Sequence, residues 1–138
     1  MLIVIAGIVW AMTTIGHFAV GTSQFLDPML AASFDEVAQK VMHCVFHYVS
    51  TYLILSSAAL LLIGFGKLRN SGAALMVRFI AVNYAVFGIW QLGLVFSSDI
   101  PSAPTKLFQW TFFFIIAACA WLGAARLTES TSEESDSV

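Results

Sequence analysis

The residues of this chain best suited to chemistry are its three histidines and two of its glutamines, Gln91 and Gln109. His43 and His47 stand four apart in "KVMHCVFHYVSTYLI", residues 40–54, at the entrance to a long apolar run. That spacing puts two imidazoles one turn apart on the same side of a helix. The face continues through Ser50, Ile54 and Ser57. His17 belongs to a second such face, with Trp10, Thr13, Thr14 and Gly21. Three neutral imidazoles, two of them at i and i+4, suit zinc, copper or iron. His17, His43 and His47 are then the ligands, with Gln91, Gln109 or Tyr48 as supporting partners. A carboxylate-bridged di-iron site is disfavoured, because acidic ligands are missing from the apolar segments. A second chemistry is axial ligation of a haem b by His17 and His47 from facing helices. A third is binding of a quinone, lipid or other apolar small molecule. Histidine and glutamine (His17, His47, Gln91, Gln109) would hold its polar head, and Phe and Trp would line the rest. A fourth is purely structural: each imidazole bonds a carbonyl, a hydroxyl or a glutamine on a neighbouring helix. No Ser-His-Asp or Cys-His set has an acidic partner within these segments. Gly64, Gly66 and Gly72 lack the Gly-Lys-Ser/Thr of a phosphate loop. No catalytic residue is therefore assigned, and the sequence leaves open whether the chain is an enzyme.

The elements that must position these groups follow from composition. The 138 residues are 59% hydrophobic and 10% charged, with a mean hydropathy of +0.88. Soluble domains carry about 25% charged residues, so too little polar surface is present to cover a water-soluble body. The net charge of -2 provides no basic field for nucleic acid. Four apolar segments, about 2–20, 41–65, 73–96 and 107–125, each approach the ~20 residues needed to cross a hydrocarbon core. They are separated by the break signals "GTSQFLDPMLAASFDE", "GKLRNSG" and "SSDIPSAPTK". The expected fold is an all-α membrane protein, an antiparallel bundle of four transmembrane helices over residues 1–127, integral to the lipid bilayer.

The first segment reads as a retained helix rather than a cleaved leader, since no Lys or Arg precedes its apolar run. The first loop reads as a turn at Asp27-Pro28 with a short helix or ordered segment at the outer interface. The tail 128–138 is polar and acidic and is expected to be disordered. Lys67, Arg69, Arg78 and Arg126 place both termini and the second loop in the cytoplasm. Small residues such as Gly7, Ser56, Ala58, Gly88, Gly93, Ala117 and Gly123 would let helices approach closely. Counted at about 1.5 Å per residue, His17, His43, His47, Gln91 and Gln109 fall in one layer near the outer face. Cys44 and Cys119 differ in depth by more than a disulfide can reach, and both are expected as free thiols.

"IGHFAVG", "DPML" and "FHYVS" followed by an apolar run carry a resemblance. The pattern is similar to a group of small bacterial four-helix membrane proteins of uncharacterised function. Those show Ala-His near the end of the first span, then Gly, an Arg-Pro-Leu-like stretch and Trp-His-x-x-Ser opening the second. His17, Gly21, Pro28, His47 and Ser50 match, while Phe46 stands for the Trp and Asp27 for the Arg. The resemblance covers about the first half of the chain. It implies the four-helix architecture, a bacterial inner membrane, and His17 and His47 ahead of His43. It supplies no activity, because that group has none assigned. Two roles remain open at this point. One is a binding or redox-associated membrane protein with an outer-leaflet histidine site. The other is an accessory subunit packing against a larger membrane complex or a second copy of itself.

Overall fold

In the computed structural model the described residues are 1–68 and 72–136, without the side chains beyond Leu127. Their regular structure is all helical. α1 (Leu2–Gly16) runs on through a π-helical stretch, His17–Leu26, into α2 (Asp27–Ala31). There follow α3 (Glu36–Gly64), α4 (Ala73–Phe96), the single turn α5 (Ala103–Lys106) and α6 (Trp110–Asp136). Four stretches are long and apolar enough to cross a membrane: Leu2–Ala31, Glu36–Gly64, Ala73–Phe96 and Trp110–Leu127. Their most apolar windows have mean hydropathies of 1.6 to 1.9, yet only 28% to 33% of each window is buried inside the molecule. The outward faces are thus apolar as well, a surface compatible with an integral membrane protein and costly in water.

The first helix does not stop near residue 20. Its turns widen instead, and the Asp27 N–H reaches Thr22 O, five residues back. Pro28 then falls at the start of α2, where it has no N–H to give to the turn before it. The helix expected in the first loop is therefore the end of the first span. α3 begins five residues ahead of the expected boundary, because Asp35 accepts a hydrogen bond from the Ala38 N–H at 2.9 Å. This is a side-chain cap on the third residue of the helix. Asp35→Ala is expected to cost about 1 kcal/mol and to speed hydrogen exchange at the Val37 and Ala38 amides, with the middle of α3 unchanged.

α3 ends at a glycine that the backbone needs. Gly66 takes φ 71°, its N–H bonds to Ile63 O at 2.9 Å, and the Lys67 N–H bonds to Leu62 O at 2.8 Å. Those two bonds close a helix end that non-glycine residues enter only with strain. α4 keeps the boundaries expected for the third span. The fourth span starts at Trp110 rather than 107, since α5 and the turn after it take up the preceding residues. α6 runs on to Asp136 through most of the tail expected to be disordered; the side chains of that tail, residues 137–138 and Arg69 lie outside the described set.

α1 packs against both α3 and α6, α4 packs on α6, and α3 and α4 touch only lightly. The core lies where α1 meets the other helices, around Trp10, Leu60, Val77, Tyr84, Ile116 and Ala120. The Arg78 guanidinium sits 5.9 Å from the Trp121 ring centroid, a cation–π contact between α4 and α6. Cys44 and Cys119 are free thiols.

Candidate functional site

His17 sits where α1 gives way to the wider turns. Its Nε2 lies 3.0 Å from Ser50 Oγ on α3, and its ring stacks on Phe46 at 4.3 Å and 21°. Ser50 is buried and donates its one hydroxyl hydrogen to Phe46 O at 2.9 Å. Ser50 Oγ can then only accept from His17, so this network assigns a hydrogen to Nε2 and leaves Nδ1 of the neutral ring as an acceptor. Gly21 stands beside that nitrogen: a Cβ there would lie 3.5 Å from Nδ1 and 3.6 Å from the Phe46 ring.

A cleft of about 280 Å³ opens next to this group, between the first helix and α3. His17, Phe25, Leu26, Met42, Val45 and Phe46 form most of its wall. The π-helical turns supply His17, Phe25 and Leu26 to this wall. Gln39 Nε2 donates to Leu30 O at 2.8 Å and ties the end of α2 to the start of α3. The sequence did not single this glutamine out, because a glutamine one turn into a helix has many surface roles.

The other sequence candidates are placed elsewhere. His43 and His47 bond each other, Nε2 to Nε2 at 3.0 Å, on the outer side of α3. His47 is exposed and His43 half-buried. Among the described residues no group of three or more His, Cys, Asp or Glu is arranged to hold a metal. His17 bonds Ser50 and stacks on Phe46, His47 bonds His43, and the Phe46 ring also meets the His47 ring edge-on at 5.6 Å. Gln91 Nε2 donates to Gln109 Oε1 at 2.8 Å, joining α4 to the residues before α6. Gln91 Oε1 and Trp110 Nε1 are buried without partners. The expected outer layer is thus made of separate pairs.

Sequence reasoning missed the polar centre of the molecule. Trp10 Nε1 donates to Ser56 Oγ at 2.8 Å, and the Tyr84 hydroxyl also meets Ser56 Oγ. Ser56 Oγ donates in turn to Tyr52 O at 2.6 Å. One donor and two acceptor positions are all filled, and α1, α3 and α4 are linked. The signal present in the sequence was Trp10, which shares the helical face of Thr13, Thr14 and His17. Ser56 reads only as a small residue until its partners are known.

Four long apolar helices define the class: an all-helical chain compatible with an integral membrane protein. Comparison with protein-family profiles, with curated proteins and with solved structures gives no match.

Proposed function

We propose that the chain is an integral membrane protein, an antiparallel bundle of four spans, that binds a hydroxyl-bearing amphipathic lipid in the cleft beside His17. The observation that carries this reading is the cleft of about 280 Å³ with the His17 ring in its wall. The apolar wall suits a hydrocarbon chain. His17 Nδ1, left uncovered by Gly21, suits a hydroxyl hydrogen at the polar end. Lys67 and Arg126 favour a cytoplasmic position for the second loop and both termini, in a bacterial inner membrane, so that the cleft faces the outer leaflet.

Gly21→Ala tests the reading without breaking the His17–Ser50 bond. The new methyl group would sit at ordinary van der Waals distance from Nδ1 and Phe46, so the fold tolerates it while the acceptor is covered. Radiolabelled hexadecanol is expected to bind the detergent-purified protein saturably. Gly21→Ala should weaken it about tenfold, the effect of one lost hydrogen bond. Val45→Trp, which fills the cleft from a half-exposed position, should abolish binding. Absence of saturable binding, or wild-type affinity in both variants, would sink the proposal.

A further inference from the structure

The light contact between α3 and α4 leaves a second cleft of about 200 Å³ along their seam. Five aromatic rings wall it, those of Tyr48, Tyr52, Tyr84, Phe87 and Phe113, with Asn83 at one side. The Tyr52 ring lies 5.6 Å from Tyr84 at 55° and 6.3 Å from Phe87 at 64°. These rings are tilted to one another around the space, so they leave faces and edges open to a further ring.

The two tyrosine hydroxyls differ. Tyr84 Oη is bonded to Ser56, whereas Tyr52 Oη is buried and has no partner. Tyr52 stands near the middle of α3, at a depth where a bilayer supplies no water. A buried hydroxyl left unpaired costs about 1–3 kcal/mol, and Tyr52 lines the cleft, so a small turn of its side chain that brings the hydroxyl to an acceptor on an occupant is favourable. An acyl chain would fill the space and leave the hydroxyl unpaired. A water molecule would pair the hydroxyl and leave the aromatic walls without contact.

We infer that the α3–α4 cleft binds one planar, membrane-soluble ring with a carbonyl acceptor, of the quinone or aryl-ketone type, whose oxygen accepts the Tyr52 hydrogen. The site shares only Val49 with the wall of the His17 cleft and does not rest on the lipid-binding reading.

Duroquinone and durene, the same methylated ring without carbonyls, separate the possibilities. The full chain in detergent is titrated with duroquinone, followed by quenching of tryptophan emission; Trp10 lies 4.0 Å from the Tyr84 ring. Infrared difference spectra report the quinone carbonyl stretch. Saturable binding with a lowered stretch is expected. Tyr52→Phe keeps the ring, and should weaken binding about fivefold to tenfold, as one hydrogen bond does, and restore the stretch of the free quinone. Durene should compete at that weaker strength in both proteins. Asn83→Phe, which extends a ring into the cleft, should prevent binding, whereas Gly21→Ala should leave it unchanged. The inference is overturned by absence of saturable binding, by wild-type affinity and stretch in Tyr52→Phe, or by durene binding as tightly as duroquinone. It is equally overturned if Gly21→Ala removes binding and Asn83→Phe does not, which would place the ring beside His17.

Discussion

Replacing Trp10 with alanine is expected to leave little folded protein. The indole is fully buried, 4.0 Å from the Tyr84 ring and 5.7 Å from Phe113 by ring centroids. Its removal opens a void at the meeting point of α1, α3, α4 and α6. Losing a large buried aromatic costs about 3–5 kcal/mol, a large share of the 5–15 kcal/mol typical of a folded domain. The hydrogen bond to Ser56 contributes less, since bonds between membrane helices average about 0.6 kcal/mol. Packing therefore decides the outcome. Trp10→Phe keeps much of the ring and should cost a minor part of the alanine effect. Ser56→Ala should fall between the two, because it leaves both the Trp10 N–H and the Tyr84 hydroxyl in need of another acceptor. Reversible unfolding in mixed micelles by sodium dodecyl sulfate, followed by circular dichroism, ranks the three. Equal losses for Trp10→Phe and Trp10→Ala would mean that the hydrogen bond, and not the packing, holds this centre.

The spans were legible because length and apolarity alone decide them, and α4 shows it: Gly72 and Ser97 flank a run with no internal break. The end of the first span was not legible. Gly21 and Pro28 are turn residues by local chemistry, but Gly21 falls inside the wider turns and Pro28 just after them, and the helix runs on to Ala31. The histidine face was read at the right helix and at too coarse an angle. At about 100° per residue, Ser50 lies about 60° round the helix from His47. That angle separates a serine facing His17 from a histidine facing outward to His43. The Ser56 network was beyond reach for another reason. Which side chains meet across three helices depends on how the helices cross, and no single segment encodes that. The small residues show the same limit: Gly7, Gly88 and Gly123 do face neighbouring helices, but Gly93 has nothing within 4 Å.

That contrast sets the second large effect, at Gly64. α1 and α3 approach closely where the N-terminal end of α1 meets the C-terminal end of α3. A Cβ at Gly64 would lie 2.8 Å from Val4 Cγ2, 3.0 Å from Val4 N and 3.2 Å from Val4 Cα, and a Cβ at Gly7 would lie 3.1 Å from Leu61 N. A side-chain tip can turn away, but a helix backbone cannot, so the two helices must separate. Gly64→Ala is expected to cost about 1–3 kcal/mol, the range of overpacked cores, and Gly64→Val more. Gly93→Ala on α4 is the control: in open space, alanine should stabilise the helix by about 0.5–1 kcal/mol. Trimming the neighbour sharpens the test. Val4→Ala removes the Cγ2 contact and leaves the backbone contacts in place, so it should rescue Gly64→Ala only in part. At Gly123 the nearest atom is the Ile3 side chain, while Ile3 N is 3.2 Å away. Ile3→Ala should therefore relieve Gly123→Ala more fully, and a double-mutant cycle should show the larger coupling there. Equal stability of Gly64→Ala and Gly93→Ala in the same unfolding assay would show that the helices do not approach at Gly64, and with it would fall the glycine-based seating of α1 against α3.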